Sequence, residues 1–287
     1  MKLNKKTKLV FILVAFFLIG LAVPSYSWTR KNVKEIETFY NSKLSPIIMI
    51  PGSSATENRF DGLVRKLNQD HRGVKHSLLK VKVWNNGRIT FEGKIKDKDN
   101  EPVIVIGFEN NKDGYNNIKK QTKMMNQAFE ALQNKYNFNN FKGLGHSNGG
   151  LIYTAFIENY LSDYDVKINS LMTIGTPYNF TETNIKNKSV MLADFIAAKE
   201  NIPSTLHVYS VAGTITYDSD ELVPDASVSA GKYIYQNQAK SYTEITVTGE
   251  DAQHSDLPTN DEVVELIKQH IEGQGVRKKQ KTNLEPQ

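Results

Sequence analysis

The stretch Gly145-His146-Ser147-Asn148-Gly149-Gly150 sets a serine between glycines in the pattern G-x-S-x-G. The spacing suits a sharp turn from a strand into a helix, which crowds both sides of the serine and pushes its hydroxyl out of the fold. Glycine fits such a turn because it lacks a Cβ and tolerates strained backbone. At this glycine and serine content the pattern arises by chance in roughly one such sequence in fifteen, so its surroundings must decide.

Phe141 to Gly145 reads as a strand, and Asn148 to Tyr160 carries Leu151, Ile152, Ala155 and Phe156 at helical spacing. Ser147 sits at their junction, in the strand-turn-helix context the motif requires. Further out, Ile47 to Ile50 and Val103 to Phe108 are short apolar runs expected of strands buried on both faces. Ile118, Thr122, Met125, Phe129, Leu132 and Tyr136 recur at steps of four and three and build one face of a long helix. Asn58 to Leu67 reads as another helix. Leu78 to Val83 and Arg88 to Ile95 flank Asn85, Asn86 and Gly87, which are expected to supply the positive backbone angles of a hairpin turn. Strands follow at Ile168 to Ile174, Leu206 to Ala212 and Tyr242 to Thr248, and a helix with an acidic start closes the series from Asp261 to Ile271. This alternation predicts an α/β protein: a mostly parallel central sheet, helices on both faces and an inserted β-hairpin.

The 287 residues hold 39% hydrophobic and 23% charged residues, which is ordinary globular usage. The formal charge of +5 is concentrated at the ends: Lys2, Lys5, Lys6 and Lys8 meet no acid, and residues 274–287 carry a net +3, leaving a central part near −2. A nucleic-acid surface is not indicated. Residues 1–27 read as a signal peptide or N-terminal membrane anchor: four lysines, the apolar run Leu9 to Val23, then Pro24, Ser25, Tyr26 and Ser27. Fifteen apolar residues suit a signal-peptide core better than a span of about 20. Cleavage before Trp28 is the preferred expectation, and an uncleaved segment would attach the chain to a membrane through residues 9–23. Either way residues 28–273 form the catalytic domain outside the cytoplasm, followed by a basic, disordered tail at 274–287. There is no cysteine, so disulfides, a thiolate nucleophile and thiolate zinc sites are excluded.

A serine hydroxyl is a poor nucleophile until a base accepts its proton. In this type of fold the members follow the chain order serine, acid, histidine. His71 and His76 come too early, His146 points away from the serine in the tight turn, His207 lies inside a strand and His270 on the last helix. His254 lies in a loop between the last strand and the last helix, where a base is expected. The acid belongs after the strand ending near Ala212, where Asp218, Asp220, Glu221 and Asp225 are available. Asp220 is preferred, because Ser219 to Pro224 resembles the S-D-x-x-V-P segment that carries the acid in many such hydrolases; Asp218 is the substitute. Donors for a developing oxyanion are expected from the backbone N–H groups of Asn148, after the nucleophile, and Ser53, in the loop Pro51-Gly52-Ser53-Ser54. Gly175-Thr176-Pro177 reads as loop structure near the site. Tyr178 to Pro203, with Phe180, Met191, Leu192, Phe195 and Ile196, reads either as a lid or acyl-pocket wall or as ordinary core.

The strand into PGSSATENRF, the hairpin VKVWNNGRITFEGKI, EPVIVIGFENN, KYNFNNFKGLGHSNGG, TIGTPYNF, SDELVPDAS and QHSDLP together resemble the Gram-positive cell-surface α/β-hydrolase family, lipase- or esterase-like and largely uncharacterised. The likeness runs from about Ser45 to Ile271. It implies Ser147 as nucleophile, Asp220 as acid and His254 as base, with Pro51 in place of a common histidine and Glu221 where the family often has glycine. The expected activity is cleavage of a small-molecule or lipid carboxylic ester through an acyl-enzyme, without metal or organic cofactor, in an exported or membrane-anchored chain of a Gram-positive bacterium. The alternatives are a catalytically silent surface binding protein on the same fold, and a transacylase or peptidase.

Overall fold

The computed structural model describes residues 4–69, 75–215 and 217–272. His71 and the basic tail 274–287 lie outside the described residues. The chain divides into two compact units, Met1–Ser42 and Lys43–Gln287.

The first unit is one helix, α1 (Lys5–Tyr40), which continues through Pro24 and across the expected cleavage point before Trp28. The Asn4 side chain caps it, and large apolar side chains such as Phe16, Phe17 and Trp28 are exposed. Among the described residues no helix is long and apolar enough to cross a membrane.

The second unit is built on eight strands: β1 (Ile47–Ile50), β2 (Leu78–Val83), β3 (Ile89–Gly93), β4 (Val103–Phe108), β5 (Asn140–His146), β6 (Lys167–Ile174), β7 (His207–Thr214) and β8 (Ser241–Thr248). They lie in the order β3-β2-β4-β1-β5-β6-β7-β8, and every neighbouring pair is parallel except β2 and β3. Helices α2 (Asp61–Gln69), α3 (Tyr115–Tyr136), α4 (Asn148–Asn159), α5 (Val190–Ala198), α6 (Asp225–Ser229), α7 (Lys232–Tyr235) and α8 (Asp261–His270) complete it. The chain steps to one side after β1 and to the other after β5, so a crevice opens beyond the carboxyl ends of these neighbours. Open α/β sheets bind ligands at such a reversal of strand order.

Buried parallel strands must be apolar on both faces, and the pleat sends alternate residues to opposite sides. Ile48, Ile50, Ile104 and Ile106 enter the core formed with α3, α4 and α5, whereas Ile47, Met49, Val103 and Val105 enter the one formed with α2 and α8. The α3 stripe is buried as its spacing predicts, except that Tyr136 is half-buried. At its centre Phe129 lies 5.0 Å from the rings of both Phe141 and Phe156 and 4.9 Å from that of Tyr164.

The hairpin turn differs from expectation. Only Gly87 takes a positive φ, of 81°, while Asn85 and Asn86 do not. Gly87 N–H donates to the Trp84 carbonyl, and Trp84 N–H to that of Arg88, both at 2.9 Å. This is a three-residue loop in which a single left-handed residue suffices. The strand after it stops at Gly93, whose φ of 89° ends the pairing short of Ile95.

Candidate active site

Ser147 occupies the turn between β5 and α4 with φ 54° and ψ −129°, a strained conformation for a residue with a side chain. Its N–H donates to the Ile174 carbonyl at 2.8 Å, tying the turn to the neighbouring strand. The flanking glycines are required by contact. A Cβ on Gly149 would stand 2.0 Å from the Ile50 carbonyl oxygen, and one on Gly145 would stand 2.6 Å from the Gly150 nitrogen. The loop after β1 presses on the serine in the same way: a Cβ on Gly52 would lie 2.7 Å from Ser147 Cβ and 3.2 Å from its Oγ.

After β7, residues Ser219 and Pro224 pair across a tight loop in which Glu221 has a φ of 73°. That angle explains why glycine suits the position. The loop folds two N–H groups onto Asp220: Leu222 at 3.1 Å and Val223 at 2.7 Å, both donating to Oδ1. The other oxygen, Oδ2, lies 2.6 Å from His254 Nδ1, and His254 N–H donates to the Asp220 carbonyl at 3.0 Å. An ionised carboxylate only accepts, so the Nδ1 proton belongs to the histidine and Nε2 is left as the basic nitrogen. Asp220 is 1% exposed, whereas Asp218 is exposed and outside this arrangement. Gly175 follows β6 with φ 55°; a Cβ there would stand 3.1 Å from both Asp220 Oδ2 and His254 Nδ1. The first residue of Gly-Thr-Pro is therefore the floor beneath the acid and the histidine.

Three further residues hold this arrangement: His146, which the sequence set aside as the base, and Arg59 and Asp113, which it did not single out. The His146 side chain lies against His254: its Nε2–H donates to the His254 carbonyl at 2.9 Å, and the two rings lie 4.9 Å apart. Burial, reinforced by the neighbouring His254 and Arg59, pushes the pKa of His146 well below the usual histidine range, so it stays neutral. Arg59 donates to the carbonyl of Ser255 and fixes the same loop from the other side. Asp113 Oδ1 accepts from the Asn148 side chain at 2.7 Å and fastens the start of α4.

Ser53 and Asn148 flank the crevice, and neither backbone N–H has a hydrogen-bond partner among the described residues. The first N–H groups of a helix have no partner within it, so that of Asn148 is available to an anion. Ser54, with φ 59°, anchors the loop by donating its N–H to the Asn111 carbonyl at 2.7 Å. The Ser147 hydroxyl makes no hydrogen bond among the described residues. Among the described residues no group of three or more His, Asp or Glu side chains could hold a metal ion. The other described histidines are structural. His76 binds the Glu101 carbonyl and Glu272, His207 binds Ser241, and His270 stacks on Tyr209 at 4.3 Å. In the segment 178–203, Met191 and Leu192 are fully buried in the larger core.

The strand order, the strained serine after β5 and the paired carboxylate and histidine after β7 and β8 define an α/β-hydrolase. The chain belongs to the family described as alpha/beta hydrolase of unknown function (DUF915), whose model matches residues 34–274. Among solved structures it is similar to a protein of Lactobacillus plantarum provisionally described as a cell surface hydrolase, at 50% identity and a TM-score of 0.73, covering 79% of this chain and 91% of that one. It is also similar to a gene product of Listeria innocua, at 29% identity and a TM-score of 0.72, covering 78% of this chain and 92% of that one. No curated protein matches the sequence.

Proposed function

We propose that the protein is an exported serine hydrolase that cleaves carboxylic esters through an acyl-enzyme. The observation that carries this reading is the 2.6 Å hydrogen bond between Asp220 and His254 beside the strained serine turn. A buried carboxylate has this use at such a place: it fixes the imidazole tautomer and stabilises the cation formed on proton uptake. His254 Nε2 takes the Ser147 proton as Oγ attacks the ester carbonyl. The N–H groups of Ser53 and Asn148 receive the oxyanion. His254 then returns the proton to the departing alcohol, and water repeats the sequence to release the acid and restore the serine.

The N-terminal segment acts as signal peptide or anchor in this proposal, consistent with the cell-surface description of the Lactobacillus relative. The test is labelling by a fluorophosphonate together with turnover of p-nitrophenyl esters of graded chain length. Both activities are expected in the unaltered chain and neither in Ser147→Ala; ester turnover is lost in His254→Ala. A chain that is folded but neither labels nor turns over any ester is a silent binding protein on this fold.

A further inference from the structure

The loops after β7 and β8, residues 215–224 and 249–260, deliver Asp220 and His254 to the crevice. They hold six carboxylates, Asp218, Asp220, Glu221, Glu250, Asp251 and Asp256, and no basic residue. The whole chain has 36 basic residues against 31 acidic ones, so ordinary surface usage would mix the signs here. Like charges gathered in this way work against the compact state, and they draw ligands of opposite sign into a cleft. Two of the six are committed: Asp220 binds His254, and Asp256 lies near Arg59. Asp218, Glu221, Glu250 and Asp251 are exposed and have no cationic partner among the described residues; Glu221 accepts from the neutral amide of Gln253 at 2.6 Å. Among the described residues these carboxylates do not converge as a metal site requires.

The basic residues on the other loops at this end of the sheet do not cancel this charge. Arg59 donates to the Ser255 carbonyl, Arg88 stands over the Trp84 ring at 4.5 Å, and Lys188 stands over that of Tyr233 at 4.9 Å. Lys112 and Lys186 share their loops with Asp113 and Glu182. The crevice is a site on separate grounds. Ser147 and His254 are each 6% exposed, yet Ser147 Oγ and His254 Nε2 have no hydrogen-bond partner among the described residues and neither is sealed from solvent. The β7 loop also presents apolar surface, with Tyr217 fully exposed and Leu222 63% exposed. A bare aromatic face beside carboxylates suits an alkylated ammonium group, which is attracted by both. In the proposed reaction His254 returns its proton to the departing alcohol, so the loops that carry His254 and its acid belong to the alcohol's side of the ester.

We infer that the serine site selects esters whose alcohol part carries an alkylated ammonium group, attracted by the free carboxylates of the β7 and β8 loops and received by Tyr217. This names a substrate class for the same site and rests on the ester-hydrolase reading.

The experiment compares kcat/KM of the full chain for three acetates: acetylcholine, its uncharged carbon isostere 3,3-dimethylbutyl acetate, and the anionic 4-acetoxybutyrate. At an ionic strength of about 10 mM the cationic ester should be preferred over the isostere by about tenfold or more, with the anion turned over most slowly. Raising the ionic strength to about 500 mM should reduce that ratio severalfold, because the carboxylates are exposed and therefore screened. The combined change Asp218→Asn, Glu250→Gln and Asp251→Asn should bring the ratio down at least about threefold, and Tyr217→Ala should lower it by about twofold to fivefold. Equal rates for the cation and the isostere, preference for the anion, or a ratio that neither salt nor the combined change alters would each overturn the inference while the hydrolase reading stands. Labelling of Ser147 by a fluorophosphonate without turnover of any of the three esters overturns the inference alone. Absence of both labelling and turnover overturns the hydrolase reading, and the inference with it.

Discussion

His146 donates its Nε2–H to the backbone carbonyl of His254 at 2.9 Å, so the residue before the proposed nucleophile holds the residue proposed as its base. Removing the donor frees one side of the His254 loop while the Asp220 contact remains. His146→Ala is expected to lower kcat for ester hydrolysis by roughly tenfold to a hundredfold, the usual cost of misplacing a catalytic group by about 1 Å. His146→Gln, whose amide can replace the lost donor, should recover most of it. A kcat of His146→Ala equal to that of the unaltered enzyme would show that the loop needs no such support.

The two neighbouring acids after β7 should separate sharply. Asp220→Asn leaves the shape intact but withdraws the acceptor that fixes the His254 tautomer, and is expected to reduce kcat by about a thousandfold to ten-thousandfold. Asp218→Asn should reduce it less than about twofold, because Asp218 is exposed and outside the arrangement. Steady-state kinetics on one soluble ester decides between them.

Phe129 stands at the meeting point of four other rings, those of Phe138, Phe141, Phe156 and Tyr164, and is fully buried. Truncation to alanine leaves a cavity its neighbours cannot close, so Phe129→Ala should cost about 3–5 kcal/mol in denaturant unfolding. Activity below the midpoint of the transition should survive, since the ring touches no part of the site.

Glu158 gives the fold a pH dependence of known sign. Its pKa rises from an ordinary 4.5 to about 9 on folding, so between these values the folded state holds a proton that the unfolded state has released. The stability this group permits is full below about 4.5 and falls as pH rises towards about 9. Relative to Glu158→Gln, the unaltered protein should therefore lose on the order of a few kcal/mol across that interval. Parallel stability profiles for the two proteins would mean that the carboxyl is solvated.

The sheet was legible wherever a strand had no solvent face. Ile47–Ile50 and Val103–Phe108 are continuous apolar runs, and a parallel strand covered on both sides leaves little else for them to be. The stripe of α3 was equally plain. Strand order was not, because the placement of β4 between β2 and β1 depends on partners far apart in sequence. Helices α6 and α7 span only 5 and 4 residues, too short to show a period. At the site, Ser147, Asp220 and His254 carry recognisable side chains in a fixed order. His146, Arg59 and Asp113 act through backbone carbonyls or a neighbouring amide, and such contacts leave no spacing to read. Glu158 looks in sequence like the polar face of a helix, and it is buried only once α4 packs in the fold.

Gly149 lets α4 rest its first turn directly on the carbonyl of Ile50, with no side chain as spacer. The β1 loop and the serine turn are thus welded through main chain alone, like two jaws cut from one block. Rotamer changes cannot widen the gap between them. Under the proposed mechanism the acyl group is accommodated by the outer walls of the crevice, while the distance from Ser147 Oγ to the proposed oxyanion donors stays constant.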